Sequence, residues 1–227
     1  MHIAGMQKVT LLDYPGKIAC TVFLSGCNMR CPFCHNPDLV LGSSWNTSMN
    51  SLLEFLETRR GKLEGVCVTG GEPTIHPELS VLLSEIKKAG FCVKLDTNGT
   101  NPVMLRKLLE HGLVDYVAMD IKNAPEYYKD SCGGVDFLKE IKESAALLMN
   151  AKTEYEFRTT VCAPMHTIER MEQIGQWLSG AKRYYLQQFV NSGTILGEGI
   201  TAVSHTVMEE MRQHLLPYIP CVELRGL

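Results

Sequence analysis

Apolar, β-branched runs alternate with segments of helical period along nearly the whole chain. Runs at 18–24, 65–69, 91–96, 116–122, 155–161 and 183–190 predict strands, and 221–224 a last short one. One-sided helices are expected between them. Leu79, Leu82, Leu83 and Ile86 follow the i, i+3, i+4, i+7 spacing of a helix with one apolar face. Leu105, Leu108 and Leu109 repeat it, as do Leu138, Ile141, Ala145 and Leu148, then Met171, Ile174 and Trp177. Gly90, Gly112 and Gly180 each follow such a segment, where a left-handed residue closes a helix.

Strand–helix–strand units with right-handed crossovers build a parallel sheet. Six to seven units are too few for a closed eight-unit barrel. The pattern therefore predicts an α/β fold, an open, partial (β/α) barrel of the six-unit type. A doubly wound parallel sheet is the alternative. Both place chemistry in the loops at the C-terminal ends of the strands. No linker rich in Pro, Gly or Ser divides the chain, so residues 1–227 are expected to form one domain.

Composition sharpens this picture at one point. Of 227 residues, 45% are hydrophobic and 21% charged, as in ordinary soluble globular proteins. Lys plus Arg is 22 and Asp plus Glu is 25, giving a net charge of 22 − 25 = −3. With no basic block, nucleic acid is not an expected partner. Residues 1–17 hold no apolar core of a secretory signal, and stretches such as 18–24 are too short to cross a bilayer. The chain is expected to be cytoplasmic and free of membrane, where thiols stay reduced. It nevertheless has nine cysteines, an odd number that cannot pair completely. Cys20, Cys67 and Cys92 fall in predicted strands and read as core packing. Cys132, Cys162 and Cys221 lie nearer loops and share no spacing. None of His76, His111, His166, His205 and His214 has metal-ligand spacing, and each reads as a satisfied or exposed histidine.

Cys27, Cys31 and Cys34 differ from the rest. They form C-x3-C-x2-C immediately after the first predicted parallel strand. Three thiolates in one tight loop at the mouth of a sheet suit a metal centre. A zinc site would need a fourth ligand such as His35, adjacent to Cys34. Cys31 to His35 also matches C-x-x-C-H, the haem-attachment pattern, which would leave Cys27 idle. An ordinary electron-transfer cluster would need a fourth thiolate from elsewhere. The remaining reading is a [4Fe–4S] cluster held by three thiolates, with one iron open to an exogenous ligand.

That spacing, with the aromatic Phe33 before the last cysteine, resembles the signature of the radical S-adenosylmethionine superfamily. The resemblance implies that the open iron chelates the amino and carboxylate groups of S-adenosylmethionine. One electron from the cluster then cleaves it to methionine and a 5′-deoxyadenosyl radical, which abstracts a hydrogen atom. Gly70-Gly71-Glu72-Pro73, after the second predicted strand, resembles the superfamily motif that binds the methionine amino group. Read from the residues alone, two glycines let backbone approach a ligand closely, and the carboxylate could accept from an ammonium. Asp96 and Thr97 end the third strand, where the family uses polar residues near the cofactor.

Side chains alternate along a strand. Tyr116, Ala118, Asp120 and Lys122 therefore share one face, with Asp120 and Lys122 expected in the barrel mouth. Ionised groups there are costly unless paired. A mutual salt bridge is one account. The Asp-x-Lys pattern also resembles glycyl radical enzyme activases, where these positions line the cofactor and a neighbouring monovalent cation. Glu156 and Arg158 are expected to point inward together, and the activase pattern puts an Arg near the cofactor or the substrate peptide. Gln187, Gln188 and Asn191 are candidates to reach the adenosine.

The stretch from Gly5 to Lys17, the loop from Cys27 to Pro37, and residues 158–161 and 185–189 are similar to the longer activating proteins of anaerobic ribonucleotide reductases. This implies a protein substrate, a glycine of the reductase left as a glycyl radical. Cys34 to Cys67 contains no further cysteine, so auxiliary clusters are absent. The electron is then expected from flavodoxin or ferredoxin. The alternative is a radical enzyme acting on a small molecule, such as a carboxy-deazaguanine synthase.

Overall fold

Each buried apolar run pairs with the next one along the chain, and this sequential pairing sets the architecture. The computed structural model describes residues 1–41, 47–191 and 193–226. Eight strands form one sheet in the order β1-β2-β3-β4-β5-β6-β7-β8. They are β1 (Ile3–Thr10), β2 (Ala19–Leu24), β3 (Gly65–Gly70), β4 (Cys92–Thr97), β5 (Tyr116–Asp120), β6 (Glu154–Val161), β7 (Tyr184–Gln188) and β8 (Val222–Arg225). β2 to β8 are parallel neighbours throughout. β1 alone is antiparallel, to β2. The strand order never reverses, so there is no switch point of the doubly wound kind. Among the described residues β8 does not pair with β1, and the barrel stays open along that seam.

The helices are α1 (Pro37–Leu41), α2 (Met49–Glu57), α3 (Leu79–Lys88), α4 (Pro102–Glu110), α5 (Tyr128–Ser131), α6 (Leu138–Met149), α7 (Ile168–Trp177) and α8 (His205–Leu215). Their apolar stripes match the sequence spacing. Leu79, Leu82, Leu83 and Ile86 of α3 are fully buried, as are Ile141 and Leu148 of α6 and Met171 and Ile174 of α7. Leu109, Leu138 and Trp177 are only partly buried, at the margins of the same faces. Gly90, Gly112 and Gly180 all take positive φ after their helices. The core lies between these stripes and the outward face of the sheet, where Val66, Val68, Val93, Leu95, Val117 and Met119 are inaccessible.

Three features differ from the sequence pattern. β1 was not expected, because Gly5, Gln7 and Lys8 interrupt any alternation. It is an edge strand with an exposed outer half, so little in its sequence needs to be apolar. β5 ends at Asp120, which puts Lys122 in the following loop, where its amide donates to the Tyr128 hydroxyl at 3.1 Å. Cys67 is buried, but on the lumen face rather than with Val66 and Val68 in the core. No described helix is long and apolar enough to cross a membrane.

Candidate functional site

β2 delivers the chain through Gly26 into the loop that carries the three clustered cysteines. Met29 and Phe33 anchor this loop and are 1% and 3% exposed. The Cys34 amide donates to the Cys31 carbonyl at 3.0 Å, and the Met29 amide to the Cys27 sulfur at 3.4 Å. The Arg30 guanidinium donates to the carbonyls of Cys27 and Met29, each at 2.8 Å. Cys27, Cys31 and Cys34 all line one cavity of about 300 Å³ at the C-terminal ends of the strands.

The thiols are electrostatically unequal. Burial pushes Cys27 up to about 11 and raises Cys34 as well. Cys31 is lowered and Cys132 raised, each chiefly through the other's thiol. Cys132 is fully buried, and its carbonyl accepts from the Arg30 amide at 3.0 Å. It had no sequence signal, since 101 positions separate it from Cys31. His35 Nε2 lies 2.8 Å from the Val190 carbonyl, with its ring against Phe189 at 5.1 Å. Among the described residues no three His, Cys, Asp or Glu side chains converge on a single-ion site. The thiols instead stand around a cavity wall, an arrangement that suits a multi-iron cluster.

The glycine motif closes the cavity from the next strand. A Cβ on Gly70 (φ +121°) would lie 2.2 Å from the Leu24 carbonyl oxygen, and one on Gly71 would lie 1.9 Å from that of Gly26. The Gly71 and Glu72 amides donate to those same two carbonyls at 2.9 and 2.8 Å. The glycines thus let this loop lie against the backbone of the cysteine loop, a tighter requirement than approach to a ligand. Glu72 is inaccessible to solvent. Its Oε1 accepts from the Thr74 amide at 3.0 Å, the Thr74 hydroxyl at 2.5 Å and the Thr97 hydroxyl at 2.7 Å. Its Oε2 accepts from the Asn98 amide at 2.6 Å. Burial pushes this carboxyl up against the pull of those donors. Pro73 starts the turn Pro73–Ile75 and does not reach the cavity.

An ion network crosses the cavity floor. The alternation of β4, β5 and β6 points Lys94, Asp96, Asp120 and Arg158 inward together. Asp96 accepts from Lys94 on one oxygen and from Arg158 Nη2 at 3.1 Å on the other. Asp120 accepts from Arg158 Nε at 2.5 Å and from Lys122 Nζ at 2.9 Å. Burial opposes both carboxylates, yet Arg158 with Lys122 holds Asp120, and Arg158 with Lys94 holds Asp96, below the usual carboxylate range. Lys122 and Arg158 also overcome burial and are raised, mainly by Asp120. Lys122 Nζ lies 5.9 Å from the centre of the Phe33 ring, so the network touches the cysteine loop.

Arg158 does not pair with Glu156, although both face inward. Glu156 takes both arms of Arg225 from β8, at 2.7 and 3.0 Å, and the Tyr116 hydroxyl at 2.7 Å. Of the three polar candidates after β7, Gln187 lines the cavity, while Gln188 turns away to the Val203 carbonyl at 2.9 Å. Asn191 closes a local turn with the Gly193 amide at 2.8 Å. Sequence reasoning missed Lys94 and Asn98. Lys94 was legible, two residues before Asp96 on the same strand face. Asn98 is not, since its role depends on the loop that brings its side chain to Asn28 at 3.0 Å.

A family model described as the Radical SAM superfamily matches residues 21–178. A Methanocaldococcus jannaschii protein assigned as a glycyl-radical enzyme activating enzyme is 30% identical over 192 residues, covering 82% of this chain and 79% of its own. A 7-carboxy-7-deazaguanine synthase of Aquifex aeolicus is 30% identical over 105 residues, 46% of each chain. In fold, the chain is similar to Streptococcus suis SuiB bound to precursor peptide SuiA, with a TM-score of 0.71 and 11% identity. That match covers 89% of this chain and 48% of the other.

Proposed function

Because this chain belongs to the radical S-adenosylmethionine superfamily, we propose that it abstracts a hydrogen atom from a glycine of a partner enzyme. The observation that carries the reading is one cavity lined by Cys27, Cys31, Cys34, Asp120, Lys122 and Arg158 in a barrel left open between β8 and β1. A [4Fe–4S] cluster bound there with S-adenosylmethionine would supply reductive cleavage to methionine and a 5′-deoxyadenosyl radical.

The remaining work falls to residues of the chain. The three thiols hold the cluster from one wall. Phe33 and Met29 fix their loop, and Arg30 ties its carbonyls. Lys122 presents its ammonium toward the cavity and pairs with the carboxylate of S-adenosylmethionine, with Asp120 and Arg158 fixing its direction. Gly70, Gly71 and Glu72 with Thr97 set the shape of the wall, and Asp96 anchors Arg158. Gln187 and Thr160 also line the cavity and would face the adenosine. A monovalent cation beside the carboxylates of Asp96 and Asp120 belongs to this reading as well, since each of their oxygens accepts one hydrogen bond and keeps a second lone pair.

The partner in this reading is a glycyl radical enzyme, specifically an anaerobic ribonucleoside-triphosphate reductase in the cytoplasm. The electron comes from flavodoxin or ferredoxin. The longer match to an activating enzyme, over 82% of this chain, favours this over a small-molecule substrate, since the deazaguanine synthase matches cover 46% to 66% of it. The test mixes the reduced protein, S-adenosylmethionine and a companion reductase without oxygen. A glycine-centred radical on the reductase is expected. Formation of 5′-deoxyadenosine with no radical on any of several glycyl radical enzymes would overturn the partner.

A further inference from the structure

One buried cation has no place in the reading so far. Lys94 is 2% exposed and sits on the lumen face of β4, below the cavity that Lys122 lines. It begins an alternating series, Lys94–Asp96–Arg158–Asp120–Lys122, whose members come from β4, β5, β6 and the loop after β5. The series holds three cations and two carboxylates, a net charge of 3 − 2 = +1. Lys94 Nζ also lies 3.8 Å from the Cys67 sulfur. Burial keeps that thiol protonated, so it offers no compensating charge.

An apolar side chain would fill this position without the desolvation cost of an ammonium. The charge therefore calls for a use at the other end of the series. Remove it, and Asp96 must rely on Arg158 alone, whose Nε already serves Asp120 at 2.5 Å. The series then sums to zero, and Lys122 faces the cavity with its charge fully answered by carboxylates inside the protein. Like charges and counter-charges at this spacing interact strongly because little water lies between them.

We infer that Lys94 is a positioning residue that answers Asp96 and thereby leaves Lys122 a net positive charge for the carboxylate of a ligand. This rests on the proposed function, in which the ligand is S-adenosylmethionine.

The test measures equilibrium binding of S-adenosylmethionine and of decarboxylated S-adenosylmethionine to the cluster-loaded protein, with iron and sulfide content as the check on loading. Lys94→Met is expected to weaken S-adenosylmethionine about tenfold or more, equivalent to about 1.4 kcal/mol. Its affinity for the decarboxylated compound should stay within about threefold of wild type. Lys94→Arg keeps the net charge of +1 and is expected to hold S-adenosylmethionine binding within about threefold of wild type. A packing role for Lys94 predicts the opposite, with both compounds weakened alike by Lys94→Met, and with Lys94→Arg no better than Lys94→Met. Either of those results, or wild-type binding by Lys94→Met, overturns the inference and leaves the proposed function standing. Wild-type protein that binds neither compound refutes the proposed function itself.

Discussion

The Asn98 backbone amide donates to Glu72 Oε2 at 2.6 Å, and this bond ties the loop after β4 to the glycine loop after β3. Glu72 faces four donors in all and no water. Its carboxylate is a fastener between two walls of the cavity. Glu72→Gln keeps the shape but turns an NH2 toward donors. The expected cost is about 1–3 kcal/mol, the penalty for unsatisfied buried groups, seen as a lower unfolding temperature. Glu72→Ala should cost at least as much.

The ion network makes the site insensitive to pH around neutrality. Asp96 and Asp120 are held below their unfolded value of about 4. Their contribution is therefore complete above that value and lost as pH falls through the lower folded values. Lys122 is raised above its unfolded value of about 10.4. Its contribution is complete below that value and lost as pH rises through the higher folded one. The contribution of these groups to stability should be flat from about pH 5 to pH 9. A step in unfolding temperature between about pH 5 and pH 9 that Asp96→Asn or Asp120→Asn abolishes would contradict the network.

Gly71→Ala should disable the site by sterics alone. The new methyl group would lie 1.9 Å from the Gly26 carbonyl oxygen, backbone against backbone, with no side chain free to move aside. The cysteine loop or the glycine loop must shift. The expected result is loss of iron content after reconstitution, measured against Gly90→Ala. At Gly90 a Cβ meets nothing within 4 Å, and the cost is confined to its φ of +92°.

Cys132 should influence the cluster without binding it. A hydrogen bond to a ligating sulfur stabilises the reduced, more negative cluster and raises its potential. Cys132→Ala removes the thiol that lowers Cys31, so the midpoint potential should fall, as read by an EPR-monitored redox titration. Cys221→Ala, one residue before β8 and outside the cavity lining, should leave it in place.

Local patterns made much of this molecule legible from its sequence. The four apolar stripes, the parallel strands and the cysteine loop each depend on residues close together in the chain. Alternation also put Asp120 and Arg158 on the lumen face correctly. What escaped were relationships fixed only by closure of the sheet. Glu156 finds Arg225, 69 positions away, because the curve of β6 to β8 brings them together. Cys132 reaches Cys31 through a short helix that no periodicity marks. Lys122 was assigned to a strand that stops two residues earlier, since Asp-x-Lys reads as alternation even where the ladder has ended. Pro73 was grouped with the cavity by adjacency to Glu72, yet its turn carries it out of the wall.

The central claim is that three thiolates leave one iron of a [4Fe–4S] cluster open to S-adenosylmethionine. The most direct measurement is the EPR spectrum of the anaerobically reconstituted, reduced protein before and after adding that compound. A changed reduced-cluster signal is expected, together with 5′-deoxyadenosine in the mixture, and both should vanish in Cys27→Ala, Cys31→Ala and Cys34→Ala. An unchanged spectrum in the cluster-loaded wild-type protein would contradict it.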